Sequence, residues 1–256
     1  MAIFSISQSE SGQKQLSLQS PVDLSHIDTY DCATKEDIVE VMTNAKIAQS
    51  QWKQTSLKER AALIHRVADV VIQQQDLIME VVMRETGKPI QEAMSMEVFS
   101  AVDSLVFYAN RAEKWLRDKK IKMHGPMKFL KKTIITYKPR GVVAVITPWN
   151  GPFILSINPV IQAILCGNSV VVKPSEVTPM SGALVQEIFA LADAPTHLVQ
   201  TLIGDGETGA ELINQGPDKV SFTGSVTTGK KIAAKCGEML IPFSLELGGK
   251  DAMIVC

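Results

Sequence analysis

At 256 residues, with 45% apolar side chains, 21% charged side chains and a formal net charge of −1, the chain has the make-up of a soluble globular protein. So even a charge balance gives no field for nucleic acid or an anionic membrane. No apolar run approaches the roughly 20 residues that cross a bilayer, and the opening MAIFSISQSE has neither a basic start nor an apolar stretch, so no secretory leader is expected. The cysteines, Cys32, Cys166, Cys236 and Cys256, are scattered without a CxxC pair or a histidine at metal-ligand spacing. Neither a metal site nor a disulfide framework is expected, and free thiols in a reducing cytoplasm are the default.

Residues 1–20 are rich in Ser and Gln and poor in large apolar groups, which reads as a flexible arm. A helical part of the chain is expected over 21–116. Within it Lys35 to Arg84 is patterned as helix: Leu57, Ala61, Ile64, Ala68, Val71 and Ile72 fall at three- and four-residue steps opposite Lys58, Glu59, Arg66 and Gln73. Gly87 and Pro89 stop that helix, and another helical pattern runs to about Lys114. The basic segment RDKKIKMHGPMKFLKK follows, broken by Gly125-Pro126 as a hairpin tip; a solvated two-stranded arm over 117–138 is favoured over an anion-binding patch.

From residue 139 to the end the texture changes to short β-branched runs alternating with helical windows. Strands are expected at Gly141–Thr147, Ser169–Lys173, Val199–Ile203, Lys219–Thr223 and Ile241–Leu245, with helices at 154–165, 178–191, 207–214 and 226–237. That alternation implies an α/β, doubly wound, Rossmann-like parallel sheet with ligands at the carboxyl ends of its strands. Each such end carries a small polar or glycine-containing cluster: TPWN, KPSE, GDGETG, FTGS and ELGGK. A helix starting at Ser225 after Gly224 suits a phosphate, through its first N–H groups and its dipole. Gly224 to Lys230 also spells most of a P-loop, but Lys231 stands where the Mg²⁺-binding hydroxyl is required. Local pattern therefore indicates a phosphate and leaves the nucleotide open. DAMIVC at the end reads as a further buried strand, with Cys256 as a core residue rather than a nucleophile, and Cys166 beside Gly167 is equally bland.

Five motifs, Glu85-Thr86-Gly87-Lys88-Pro89, Thr147-Pro148-Trp149-Asn150, Lys173-Pro174-Ser175-Glu176, Phe222-Thr223-Gly224-Ser225 and Glu246-Leu247-Gly248-Gly249-Lys250, occur in the order and spacing of one family. From about residue 35 onward the chain resembles the NAD-dependent aldehyde dehydrogenases. The resemblance implies oxidation of an aldehyde to a carboxylic acid, with NAD favoured over NADP. It makes Asn150 the amide that stabilises the aldehyde oxygen and Glu246 the general base that activates water. A carboxylate placed after an apolar strand and before glycines is expected to be partly desolvated.

For the cofactor, the resemblance places the adenosine ribose on Lys173 and Glu176, with Ser175 among the further cofactor contacts, and Glu176 would repel a 2′-phosphate. Gly224 and Ser225 match the pyrophosphate contacts, Gly204 and Gly209 the glycines of close approach, and Thr147, Trp149, Phe222 and Leu247 complete the cofactor contacts. The nucleophilic cysteine of the family matches none of the four here and is expected a few dozen residues past Glu246 in a Gly- and Gln-bearing loop. On that reading the chain ends before the catalytic domain and is inactive alone. The alternative is a non-catalytic nucleotide-binding or assembly module, and a Gly-Gln-flanked cysteine downstream would separate the two. The 117–138 hairpin resembles the family's oligomerisation arm, so a homo-oligomer is expected. Gly151, where many relatives have an aromatic residue, implies a wider channel, and Ala252 in place of a frequent Pro implies little.

Overall fold

The computed structural model describes residues 4–9 and 12–255 and begins with an antiparallel meander. Its strands are β1 (Phe4–Gln8), β2 (Lys14–Gln19) and β3 (His26–Asp31). The flexible arm expected at 1–20 is therefore corrected. Alternation in KQLSLQ sends Leu16 and Leu18 inward, where both are buried beside Cys32, Tyr30 and Ile203. Residues 1–3, 10, 11 and Cys256 lie outside the described part.

Three helices replace the one expected to end at Gly87: α1 (Lys35–Trp52), α2 (Leu57–Gln73) and α3 (Gln75–Thr86). A capping box opens α1, a second makes the break before α2, and α3 follows Gln74 without a side-chain cap. Thr34 accepts from the Asp37 N–H while Asp37 accepts from the Thr34 N–H, and Ser56 and Glu59 repeat the exchange. Gly87, left-handed at φ 70°, closes α3 as expected. Then α4 (Ile90–Glu92) runs through a π-helical segment (Ala93–Phe99) into α5 (Ser100–Leu116).

Strands β4 (Lys119–Ile121) and β5 (Thr133–Ile135) pair antiparallel, so the basic segment is a two-stranded ribbon. Its connection is longer than a tight hairpin tip and contains a 3₁₀ turn at Pro126–Phe129.

The remaining elements are β6 (Val142–Ile146), α6 (Ile154–Leu165), β7 (Ser169–Lys173), α7 (Pro179–Leu191), β8 (Val199–Thr201), α8 (Gly206–Asn214), β9 (Lys219–Gly224), α9 (Val226–Glu238) and β10 (Phe243–Leu247). The five strands form one parallel sheet in the order β10-β9-β6-β7-β8. Val143, Val145, Val170, Val172 and Val199 face the core built with α2, α5, α6 and α7. Val142, Ala144, Ile146, Val171, Val220 and Phe222 face the second core, with α1, α8 and α9. Burial on both faces explains the unbroken Val runs. The expected final strand is not formed: residues 251–255 have no regular structure, and Met253, Ile254 and Val255 are exposed. Among the described residues no helix is long and apolar enough to cross a membrane.

Helix α7 is tied to α3 by a buried carboxylate. Glu85 accepts from the Met180 N–H at 2.8 Å, the Ser181 N–H at 2.8 Å and the Ser181 hydroxyl at 2.5 Å. Burial pushes the Glu85 carboxyl up to about 7, against the pull of those bonds. The folded chain then keeps this proton to a higher pH than the unfolded chain does. Stability from this group is complete below its unfolded value, near pH 4, and is lost as pH rises through about 7. Urea unfolding at pH 5 and pH 8 is expected to show the chain losing about 2–3 kcal/mol more than its Glu85→Gln variant. Equal losses in the two proteins would refute it.

Candidate active site

Because the five strands run parallel, their carboxyl ends share one edge. Ile146 pairs with Lys173 on one side and Phe222 on the other, Thr223 pairs with Glu246, and Gly224 pairs with Leu247. Glu246 is thus level with Thr147 and two strands away, roughly 10 Å at ordinary strand spacing.

Lys173 ends β7 almost fully buried, with its ammonium 3.3 Å from the Glu176 carboxylate. Burial lowers its pKa, and Glu176 opposes the shift. Ser175 is buried too, its hydroxyl accepting from the Val177 N–H at 3.2 Å. Gly204 is required by the protein itself, since its φ is +157° and an added Cβ would lie 2.1 Å from the Thr208 hydroxyl. Gly209 is different. A Cβ there would come no closer than 3.7 Å to Lys173 and 3.9 Å to Ile146, so its bareness leaves room beside the Lys173 stem.

At β9 the chain passes from Gly224 into α9 through Ser225 alone, whose hydroxyl accepts from the Thr228 N–H at 3.2 Å. The other N–H groups of that first turn have no partner within the helix. This geometry disposes of the P-loop reading: Gly229 and Lys230 lie inside α9, and no extended phosphate loop exists there. Gly229 instead admits Leu247, which would stand 2.6 Å from a Cβ. Phe222 is buried beneath Gly224, so it supports the turn from below and its ring is not a surface for a ligand.

Trp149 and Asn150 lie exposed on the loop after β6. Thr147 does not join them. It is buried, and its hydroxyl is 2.9 Å from that of Ser156, which itself donates to the Pro152 carbonyl at 2.6 Å. With the Ser156 proton committed, Thr147 must be the donor, which leaves its hydroxyl free only to accept. Lys88 and Glu97, to which the sequence reading gave no part, hold this loop. The Lys88 ammonium donates to the Asn150 main-chain carbonyl at 2.8 Å and pairs with Glu97. Only the Gly-Lys-Pro motif marked Lys88 in the sequence, and nothing marked Glu97.

Glu246 lies within β10, not after it as expected, and is exposed rather than partly desolvated. Leu245 and Leu247 turn toward α9, which sends Glu246 to the opposite face of the sheet. There it lines a groove of ≈ 890 Å³ with Ser221, Thr223 and the α6 residues Leu155, Asn158 and Gln162.

The sequence matches the aldehyde dehydrogenase family over residues 7–256, and the chain belongs to that family. It is 38% identical, over 92% of its length and 44% of the other's, to the 4,4'-diapolycopene aldehyde oxidase of a Methylomonas species. Its fold superposes with a TM-score of 0.86 on a Mycobacterium tuberculosis aldehyde dehydrogenase complexed with NAD+, at 28% identity, over 92% of this chain and 48% of that one. An E. coli structure described as an NADP dependent enzyme gives a TM-score of 0.86 at 26% identity, over 95% and 50%. The chain spans about half the length of these relatives.

Proposed function

We propose that this chain provides the dinucleotide cradle, and two of the groups that act on substrate, in an NAD-dependent oxidation of an aldehyde to a carboxylic acid. The convergence of five strand ends on one edge carries the reading. The residues there fit the cofactor: bare Gly209 leaves space beside Lys173, and α9 opens with a capped turn behind Gly224 and Ser225. Lys173, Ser175 and Glu176 would hold the adenosine ribose, Gly224 and Ser225 the pyrophosphate, with Gly204 shaping the turn and Trp149 and Leu247 flanking. Bound NAD supplies the hydride acceptor. Asn150 offers its side-chain N–H to the aldehyde oxygen as charge develops there, and Glu246 takes the proton from the water that releases the acid.

Glu176 supports NAD over NADP, because a carboxylate accepts ribose hydroxyls and repels a 2′-phosphate. Calorimetric titration is expected to find NAD bound at least about tenfold tighter than NADP, with Glu176→Ser reducing the gap to about threefold or less. Equal affinities in the unsubstituted chain would refute the preference, and failure to bind either would refute the cradle. We also infer a homo-oligomer, since a two-stranded ribbon such as β4-β5, with Ile121, Ile134 and Ile135 exposed, gains from a neighbour's sheet. A cytoplasmic setting fits the unpaired Cys32, Cys166 and Cys236.

A further inference from the structure

We propose that Lys88 and Glu97 are positioning residues, a pair of one partly buried ammonium and one wholly buried carboxylate that holds the Asn150 loop. The proposal rests on the reading of Asn150 given above as the group that meets the aldehyde oxygen. Glu97 is wholly buried and sits in the π-helical segment between α4 and α5. Its two oxygens are divided. Oε1 takes the Lys88 ammonium, and Oε2 accepts from the Phe153 N–H at 3.1 Å and the Ile154 N–H at 2.9 Å. Lys88 then reaches the Asn150 carbonyl at 2.8 Å. Residues 150–154 are therefore clamped at both ends by one pair, and the Thr147 and Ser156 hydroxyls, bonded in turn to the Pro152 carbonyl, brace the same loop independently.

Stability alone explains this arrangement poorly. Burying the Glu97 carboxylate carries a desolvation cost that an ion-pair partner seldom repays, and π-helical insertions gather at functional sites. Positioning explains it well. A donor aimed at developing charge works only if held in place beforehand, and a 1 Å misplacement costs about 10²-fold in rate. The clamp leaves Asn150 exposed on a backbone that cannot drift.

The deciding measurement is made on the chain with the Asn150 side-chain amide followed by ¹⁵N nuclear magnetic resonance. In Lys88→Met that signal is expected to broaden or split, and amide exchange at Asn150 and Gly151 to quicken by about tenfold or more, while Val143 and Val170 stay protected. Lys88→Arg, which keeps donors for both acceptors, is expected to restore the signal. Should Lys88→Met fail to fold with Glu97 left unpaired, Lys88→Met combined with Glu97→Gln removes both charges together and gives the same readout. A pair that merely supports the fold would lower overall stability and leave the Asn150 signal intact, and that result overturns the proposal. Turnover supplies the separate check: in a protein that joins this chain to the cysteine-bearing half the proposed reaction needs, kcat for the aldehyde is expected to fall by about 10–100-fold in Lys88→Met, with KM within threefold. A changed signal with unchanged kcat would sink the role of Asn150 while leaving the clamp standing.

Discussion

Glu246→Gln, made in a protein that joins this chain to the cysteine-bearing half the proposed reaction needs, is expected to lower steady-state aldehyde oxidation by about 10²–10⁴-fold, the usual contribution of a general base, and to leave NAD affinity within about threefold. The two effects separate because of where β10 puts this side chain. Leu247 and Gly229 close the α9 face of the strand, so Glu246 faces the groove lined by α6, away from the Ser225 turn. A base that acts on water is needed only after hydride has left the substrate. One equivalent of NADH should therefore still form rapidly in the first turnover, with later turnovers slowed. Stopped-flow absorbance at the NADH band reads both phases. An unchanged steady-state rate, or loss of the first-turnover burst, would remove Glu246 from the role proposed for it.

The central sheet was legible because its physics is local. Strands β6 and β7 are β-branched runs buried on both faces, β9 alternates with Val220 and Phe222 buried, and each sits within a residue of its expected limits. Strand β10 was misplaced by two residues, since it begins at Phe243, after Pro242, which has no N–H to give a ladder. That shift put Glu246 inside the strand and settled which face it takes. The meander of β1, β2 and β3 was missed because its surface is polar and only Leu16 and Leu18 declare a buried side. The start of α1 and the break before α2, by contrast, were written plainly in Thr34-x-x-Asp37 and Ser56-x-x-Glu59, while the break at Gln74 has no side-chain cap to mark it. Side-chain direction was not legible at all. Thr147 and Phe222 stand at the expected edge yet turn inward, and the bond from Lys88 to Asn150 spans 62 residues of chain.

Two glycines on that edge should respond to alanine in opposite directions. Gly204→Ala is expected to destabilise the chain by about 3 kcal/mol, from a left-handed-side φ and a buried clash together. Its Cβ would stand 2.1 Å from the Thr208 hydroxyl and 2.8 Å from the Thr208 Cβ, in the first turn of α8. Thr208 has little room to retreat. Asp205 caps that turn through the Glu207 N–H at 3.0 Å and takes the Lys14 ammonium at 2.6 Å, so moving α8 also disturbs β2. Gly209→Ala meets no such obstacle: its nearest atoms lie 3.7 and 3.9 Å away, inside a regular helix. Loss of backbone freedom in the unfolded chain should then stabilise the protein by about 0.5–1 kcal/mol. If the bare patch beside Lys173 exists for a dinucleotide, the same methyl should weaken NAD binding even as it stabilises the chain. Urea unfolding gives the first sign and calorimetric titration the second. A Gly209→Ala protein that is both more stable and equally tight for NAD would mean the cofactor does not lie against α8.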